Sequence, residues 1–487
     1  MISLKTTGRF IALGIVCMLL ASCSLAPSFS SPEVALDQEW IGVALTRQQR
    51  QGLAAHDLGW REYFRDPQLQ QCIAEALVNN HDLRIAALNA ELVQRQYRIT
   101  RSDTLPTVVA SASGQRARTA EDLSPGGRAV TASAYSVGLG IAAFELDFFG
   151  RVKNQNEALL NDYLATLEAR DAAQLSIISA VAKAYYQMRI SHLLMDLARS
   201  VQKVRKESLE LTRLQIEAGT ATEATLQGMI SAIELAKADY EERHRTWLQS
   251  RNTLGLLVGR PLSDLALKKP GRLELQFPDE ELLADVPARA LLERPDIRQA
   301  EYGLRAVNAN IGVARAAFFP SITLTTSLGF GSDDLGGLFE GANFMWSFAP
   351  RLDLPIFDYG RRRANVEAQE IRQRIAVENY KKAVQSAFTD INNALVARGS
   401  LERQFAAMQK SNAAVAKRLQ LIQIQLREGI ADGLSLLDAE RESFASQQAV
   451  LAMRLMLLNN RVDLYTALGG GLSEFSRKAE SDQSGSP

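Results

Sequence analysis

The sequence has few of the side chains that build disulfides, metal centres or nucleic-acid surfaces. Only three of its 487 residues are cysteine, and 55 basic side chains are balanced by 55 acidic ones. This balance argues against a nucleic acid as a partner, because phosphate backbones are bound by an excess of Lys and Arg. The four histidines, His56, His81, His192 and His244, are scattered without the spacing of metal ligands. We therefore assign no metal.

Motifs of catalysis and nucleotide binding are missing too. The sequence has no Gly-x-Ser-x-Gly nucleophile motif and pairs no base with a nucleophile. The glycine-rich residues 329–337 join two predicted strands, and no helix follows whose N-terminus could bind a phosphate. We expect the chain not to be an enzyme and to bind no cofactor other than a covalent lipid.

The longest apolar run lies at the N-terminus. Lys5 and Arg9 precede the apolar residues Phe10 to Leu20, and the run ends in Leu20-Ala21-Ser22-Cys23. The run is short for a membrane anchor, so residues 1–22 are predicted to be a signal peptide. Small residues before Cys23 resemble a bacterial lipobox, whose cysteine carries N-acyl and diacylglycerol lipid and begins the mature chain. An uncleaved anchor, or an ordinary signal peptide with a chance cysteine, is the alternative.

Acylation at Cys23 would shape the rest of the chain. Cys17 would leave with the signal peptide, so only Cys72 would stay free and no internal disulfide could form. Ser24, rather than an aspartate, follows the acylated cysteine, which favours sorting to the outer membrane. Loss of the two basic residues of the leader leaves two more acidic than basic side chains.

The chain contains a tandem duplication. Gly150 to Gly219 and Gly360 to Gly429 each span 69 positions, and each begins at a Gly-Arg pair after a β-like run. A second helical segment ends 40 positions later, at Gly259 and Gly469. The sequence therefore predicts two copies of a strand hairpin that leads into a long helical hairpin.

The long segments of both copies are predicted to be single helices. Residues 150–216 and 360–426 contain no proline and many strong helix formers. Each predicts a helix of about 65 residues, about 100 Å long. The glycine after each helix can take a left-handed cap conformation, and Thr222 or Asp432 can cap the next helix, so each helix pair reverses tightly. From Leu434 to Tyr465, apolar residues recur in steps of 3 and 4, which is coiled-coil periodicity, although a core stripe of a bundle would explain one such seam equally well.

The strand pairs alternate between apolar and small or polar residues. We predict hairpins at about residues 105–147 and 320–358, with the charged residues 116–128 as the loop of the first. Phe344, Trp346 and Phe348 line one face of the last strand. One face of each hairpin suits lipid and the other suits water.

Four such strands cannot close a membrane barrel, which needs at least about 8. An open edge in lipid would leave backbone groups without hydrogen bonds, so the chain must oligomerise through its strands. Two copies would give 8 strands with a filled interior, and three would give 12 and room for a lumen. The pattern alone does not choose between them.

Several motifs resemble the TolC-type outer-membrane factors, with the OprM-like and NodT-like lipoprotein branch nearest. They are the lipobox, the strand-to-helix junctions at residues 144–151 and 354–361, Leu292 to Arg298, and Gly429 to Arg441. The similarity covers essentially the whole mature chain. It implies a mainly α fold with a small membrane β part, in which a homotrimer forms a 12-stranded β-barrel continued by an α-helical barrel.

The resemblance also implies a function. The chain would be the outer-membrane channel of a tripartite export pump, a passive conduit for small toxic compounds or antibiotics. Its partners would be two sister copies, outer-membrane lipid, a periplasmic adaptor and an inner-membrane transporter driven by protons. The alternatives are a duct for type I protein secretion or for metal cations, and, in a different class, a structural periplasmic coiled-coil scaffold.

The predicted organisation has six parts. They are the signal peptide (1–22), a lipid-anchored tether with a short equatorial segment (23–65), the first repeat (66–260), an equatorial linker (261–293), the second repeat (294–469) and a polar tail (470–487).

The same resemblance suggests a periplasmic gate near the second turn. Asp438 matches an aspartate of the TolC constriction, but Ser435 and Ala431 stand where TolC has another aspartate and an arginine. We therefore expect a looser gate that uses Asp438 and Asp432 with Arg427 or Glu428. In the alternative, Asp432 is only a helix cap and Asp438 a solvated charge.

The two turns are also expected to dock the adaptor. Both are exposed helical hairpins, and such hairpins can offer helix-in-groove contacts. The expected contact residues are Gly219, Thr220, Leu226, Gly429, Leu434 and Ser435. They could instead be turn residues only.

Overall fold

The computed structural model describes residues 24–34, 58–264, 292–470 and 472–475. The signal peptide, Cys23, most of the linker and most of the tail lie outside these residues. Within them the helices and strands follow in this order: α1 (Trp60–Tyr63), α2 (Pro67–Asn79), α3 (His81–Ser102), β1 (Val108–Thr119), β2 (Val130–Glu145), α4 (Arg151–Glu217), α5 (Glu223–Val258), α6 (Pro295–Ala316), β3 (Ser321–Ser332), β4 (Phe344–Asp353), α7 (Arg361–Arg427) and α8 (Gly433–Ala467).

The duplication is visible in the elements. Helices α4 and α7 are each 67 residues long, close to the predicted 65. Each is followed by a turn and a second helix, of 36 residues in α5 and 35 in α8. The predicted mainly α fold with a small β part is therefore confirmed.

The first predicted helix is interrupted. Asp66-Pro67 and the apolar residues that continue to about Ile99 predict one helix with Asp66 as its N-cap, whereas the structure has α2 and α3 with Asn80 between them. The side chain of Asn80 accepts a hydrogen bond from the Leu83 amide at 3.0 Å and donates one to the Leu257 carbonyl at 2.8 Å. Asn80 thus caps α3 and ties this break to α5, which a helical pattern of apolar residues does not reveal.

Contacts divide the chain into two compact units that cut across the repeats. One, the sheet unit, comprises the described parts of Met1–Glu33, Asn89–Leu167 and Gln299–Lys381 and holds all four strands. The other, the turn unit, comprises those of Val34–Leu88, Glu168–Arg298 and Lys382–Pro487 and holds both helical turns.

In the sheet unit, the strands form one antiparallel sheet in the order β1-β2-β3-β4. Strand β1 runs to Thr119, so Arg116 and Arg118, predicted to be in the loop, lie in the strand. Both faces of β1 are exposed at this end, so charged side chains fit there without loss of hydration.

Pro106 and Pro320 lie 214 positions apart, whereas Gly150 and Gly360 lie 210 apart, so the two hairpins differ by four residues, which are expected in the loops. The register locates this difference. Sixteen residues separate the pair Arg116 and Ser133, whereas 13 separate the equivalent pair Phe330 and Phe344, so three extra residues lie at the first tip. The fourth forms a bulge in β2 between Ile141 and Phe144, where the pairing with β3 shifts. Three of the four extra residues therefore lie in the loop of the first hairpin, and the fourth lies in the bulge of β2.

The core of the turn unit contains three buried tyrosines that contact other elements, Tyr63, Tyr185 and Tyr465. Tyr465 stacks on Tyr63 with ring centroids 4.3 Å apart. The Tyr185 hydroxyl donates to Asp66 at 2.8 Å and accepts from Arg189 at 2.7 Å. Asp66 also accepts from the amides of Gln68 and Leu69, so the predicted cap of α2 is confirmed and is itself anchored to α4.

Candidate functional site

The sheet has one apolar and one small, polar face. Away from the bulge in β2, directly opposed residues form rows across the four strands. One such row on the apolar face is Ala110, Leu139, Leu328 and Trp346. On the other face Ser113 bonds Ser136 at 2.8 Å and Ser327 bonds Ser347 at 2.7 Å. This alternation is the pattern of strands that separate lipid from water.

The sheet is open at both sides. Among the described residues, β1 pairs only with β2, and β4 pairs only with β3. The large apolar side chains of β4 are exposed, with Trp346 at 73%. An unpaired strand edge can form hydrogen bonds with a strand of another chain, and the exposed apolar side chains beside it can pack against that chain.

The two helical turns of the turn unit are built alike. Gly219 and Gly429 have φ of +75° and +72°, a conformation that glycine adopts without strain. The amide one residue later bonds the carbonyl five residues back: Thr220 to Gln215 and Ile430 to Gln425, both at 2.8 Å. These bonds supply donors to carbonyl groups at the C-terminus of the preceding helix, which have no partner within the helix. The predicted turns are therefore confirmed.

The four predicted gate residues lie at the second helical turn, between α7 and α8, or in the first residues of α8, and all four are exposed. Asp432 caps α8, because its carboxylate accepts a hydrogen bond from the Ser435 amide at 2.8 Å. The hydrogen bonds from Ser435 lower the pKa of Asp432. Asp438 pairs with Arg441 at 3.2 Å, and among the described residues Arg427 and Glu428 form no ion pair. In the single chain, Asp432 is thus a helix cap. The four predicted gate residues do not form one cluster.

The predicted docking residues divide into two groups. Gly219, Thr220, Gly429 and Leu434 are exposed, Leu434 at 65%, and Ser435 is half-buried behind the cap. Leu226 instead packs inside the turn unit against the cluster of Leu209, Met229 and Ile233, which Leu437 also contacts. Leu226 therefore has a packing role in the cluster of the first helical hairpin that Leu437 of the second hairpin also contacts.

A buried ion pair between the two helical hairpins was not predicted. Arg205 on α4 lies 2.7 Å from Glu440 on α8, and both side chains are nearly inaccessible. Burial raises the pKa of Glu440, against the opposing effect of Arg205. The two residues are far apart in the chain and each lies in a stretch rich in charges, so no sequence signal marks them as partners.

The described residues lack two further features. No cluster of three or more His, Cys, Asp or Glu side chains in them is arranged to hold a metal ion. None of their helices is both long and apolar enough to cross a membrane.

A two-faced open sheet that leads into paired helices of this length defines a subunit of an outer-membrane export channel. The chain matches the family described as outer membrane efflux protein over residues 72–260 and 286–470. It belongs to this family.

Known members are similar over nearly their whole length. The chain is 40% identical to the toluene efflux pump outer membrane protein TtgC of Pseudomonas putida over 484 residues, 98% of this chain and 99% of the relative. It is 37% identical to the cation efflux system protein CusC of Escherichia coli over 458 residues, 94% and 97% of the two chains. The open state of the outer membrane channel MtrE of Neisseria gonorrhoeae has a TM-score of 0.84 at 40% identity and covers 94% of this chain and all of that one.

The protein is therefore the outer-membrane channel of an efflux pump, with its helical part in the periplasm. The predicted family, location and function as an export channel are confirmed. The alternative of a purely structural periplasmic scaffold is set aside.

Proposed function

We propose that the protein is a passive conduit for small toxic organic compounds or antibiotics, and that it performs no catalysis itself. The choice of cargo rests on one observation: a relative at 40% identity is named for toluene efflux. Metal cations are the second candidate, because CusC is named for cation efflux.

The two cargoes are separated by a complementation experiment. A strain that lacks its own channel of this family is given this gene with its neighbouring pump genes, and its tolerance to toluene, antibiotics, copper and silver is measured. Restored tolerance to the organic compounds alone supports the proposal. Restored tolerance to the metals alone would replace it with the second candidate.

The working form is a homotrimer. Three copies of the four-stranded sheet give 12 strands, enough to enclose a lumen, and they leave no strand edge unpaired in lipid. Adjacent copies would pair β4 of one with β1 of the next, because these are the two open edges of the sheet.

The internal duplication supplies contacts for that interface. Within one chain, Phe149 stacks on Phe319 with ring centroids 4.7 Å apart, across the boundary between the repeats. The repeat offsets place Tyr359 at the position of Phe149 and Leu105 at that of Phe319. Both are exposed in the single chain, at 92% and 70%. Tyr359 of one copy therefore packs on Leu105 of the next, as its counterparts do within the chain.

Cysteine crosslinking tests this interface. The variant with Leu105→Cys and Tyr359→Cys should give covalent trimers on a denaturing gel under oxidation. The matched control, with Phe149→Cys and Phe319→Cys, should crosslink only within each chain and run as a monomer. Monomers from both variants would contradict the proposed pairing.

A periplasmic adaptor binds the exposed residues of the two turns, and a proton-driven inner-membrane transporter supplies the energy. The contacts are Gly219, Thr220, Gly429, Leu434 and Ser435, with Leu226 supporting the first turn from inside. Photocrosslinkers at Leu434 should capture the adaptor. The same probe at Leu248, an exposed leucine of α5 some 25 residues from the turn, is the control. Equal capture at both positions would argue against docking at the turns.

The residues that anchor the channel and those that gate it are far apart in the sequence. Cys23 carries N-acyl and diacylglycerol lipid, which intact mass measurement of the N-terminal peptide would detect. The gate uses Asp432 and Asp438 with Arg427 or Glu428. Unchanged open probability in both Asp432→Ala and Asp438→Ala would rule out the gate assignment.

A further inference from the structure

A cavity lies where the first strand hairpin ends and the first long helix begins. Its walls are the C-terminal end of α3, the two residues 103 and 104 that follow it, residues 144–148 at the end of β2, and the first two turns of α4. All of them belong to the sheet unit. The volume of about 480 Å³ is within the range of small-molecule sites in proteins.

The cavity lies at the edge of the lipid-facing surface. Phe144, in its wall, is directly opposed to Leu324 on β3. Leu324 shares a face with Leu328, because side chains alternate along a strand, and Leu328 is opposed to Trp346 on the apolar face. The helices that follow the sheet are in the periplasm. The cavity is therefore at the boundary between the periplasmic leaflet of the membrane and water.

Charges of both signs line this cavity. The two cations and three carboxylates are Arg101, Lys153, Asp103, Glu145 and Asp147. Glu145 is paired with Arg151, whose Nε lies 2.7 Å from Glu145 Oε1. None of the other four forms an ion pair within the part of the chain that the structure describes. Two cations and two carboxylates are complementary to a ligand that carries one charge of each sign.

Three polar atoms in the same walls are buried without a hydrogen-bond partner among the described residues. They are Asp147 Oδ1 and both side-chain polar atoms of Asn156. The other oxygen of Asp147, Oδ2, accepts the Lys153 amide at 2.7 Å and so satisfies the first turn of α4. Native proteins leave few buried polar groups without a partner. A ligand with both donors and acceptors would complete this set.

These polar walls are not duplicated. The repeat offset of 210 places Phe357 at the position of Asp147 and Val366 at that of Asn156. Arg315 stands at the position of Arg101, and it pairs with Glu370 at 3.1 Å. The second repeat therefore lacks the carboxylate and the amide that line the cavity of the first.

We propose that this cavity binds the headgroup of a zwitterionic phospholipid of the periplasmic leaflet, with the chemistry of phosphatidylethanolamine. Arg101 and Lys153 bind the phosphate, and Asn156 Nδ2 is a further donor to it. Asp147 binds the ammonium, whose N–H groups are the donors that Oδ1 lacks. The acyl chains continue from Phe144 along the apolar face of the sheet.

Native mass spectrometry of the full-length protein in a nonionic detergent tests both halves of the site. The protein is titrated with phosphatidylethanolamine or with phosphatidylglycerol, which has the phosphate but no ammonium. Asp147→Asn removes the charge and keeps an oxygen for the Lys153 amide. It should weaken binding of phosphatidylethanolamine by about tenfold and leave that of phosphatidylglycerol unchanged or tighter. Arg101→Gln should weaken binding of both lipids by about tenfold.

Two controls accompany these variants. Arg315→Gln removes the equivalent arginine of the second repeat, outside the cavity, and should leave the binding of both lipids as in the unaltered protein. Phosphatidylcholine has a quaternary nitrogen without N–H groups, so it should bind more weakly than phosphatidylethanolamine. If Asp147→Asn fails to assemble, Asp103→Asn removes the second carboxylate of the cavity without touching α4 and should discriminate between the lipids in the same direction.

Absence of phosphatidylethanolamine binding, or equal affinity of the unaltered protein for phosphatidylethanolamine and phosphatidylglycerol, would overturn the proposal. Equal loss of both lipids in Asp147→Asn would do the same. If a neighbouring copy of the chain fills the cavity instead, Arg101→Gln and Asp147→Asn should reduce the amount of oligomer and leave lipid binding unchanged, and this result would also overturn it.

Discussion

Arg205 Nη1 lies 2.7 Å from Glu440 Oε2, with the two side chains only 9% and 10% exposed, so one buried ion pair joins the first helical hairpin to the second within the turn unit. Most other charged pairs of the long helices are exposed and lie within one helix, such as Asp438 with Arg441. A buried pair differs from these, because each charge has lost its water and depends on the other.

The first prediction concerns removal of one partner. Arg205→Met or Glu440→Leu alone should lower the free energy of unfolding by about 3–5 kcal/mol, because each leaves an uncompensated buried charge. The double variant should lie within about 1 kcal/mol of the unaltered protein or above it, since both desolvation costs are then gone. Thermal unfolding in detergent measures all three. Asp438→Ala with Arg441→Ala is the exposed control, expected to change stability by less than about 1 kcal/mol.

A second prediction follows from the raised pKa of Glu440, caused by burial and opposed by Arg205. A carboxyl whose folded-state pKa is raised contributes stability that is fully present below its unfolded-state pKa and is lost as pH rises through the folded-state value. From about pH 4.5 upward, the unaltered protein should therefore lose stability relative to Glu440→Gln. The slope can be at most about 1.4 kcal/mol per pH unit. Parallel pH profiles of the two proteins would show that this carboxyl does not titrate differently on folding.

The duplication made most of the fold predictable. Glycines at equal spacing placed both helical turns, because the left-handed cap and the following Thr222 or Asp432 are local chemistry. The alternation of β3 and β4 predicted which residues share a face, because side chains alternate strictly along a strand. Such features depend on neighbours in sequence.

What the sequence did not reveal depends on distant partners or on small local signals. The Arg205–Glu440 pair joins residues from different repeats, and a charged residue looks alike in the sequence whether it is solvated or paired. The break at Asn80 did leave a signal, since asparagine three residues before Leu83 is a helix cap, but the apolar pattern on both sides masked it.

The third prediction tests the two faces of the sheet with neighbouring residues. Trp346 lies on the apolar face and Ser347 on the small, polar face. Arginine facing lipid should cost about 2–4 kcal/mol near the bilayer midplane, whereas arginine facing water should cost little. Trp346→Arg should therefore reduce the heat-resistant oligomer in outer membranes, while Ser347→Arg should assemble normally and alter single-channel conductance. Normal assembly of Trp346→Arg, with loss of assembly in Ser347→Arg, would mean that the faces are assigned the wrong way round.

The last prediction separates two roles of Asp432, as a cap for α8 and as a gate charge. Its carboxylate accepts the Ser435 amide at 2.8 Å, and asparagine can accept the same bond without the charge. If the charge acts in the gate, Asp432→Asn should raise the open probability of single channels as much as Asp432→Ala does. The counterpart at the other turn is Thr222, an uncharged cap whose hydroxyl accepts from the Thr225 amide at 3.3 Å. Thr222→Ala therefore measures the loss of a cap without the loss of a charge. An Asp432→Asn channel that behaves like the unaltered one, beside an Asp432→Ala channel that behaves like Thr222→Ala, would leave Asp432 as a cap alone.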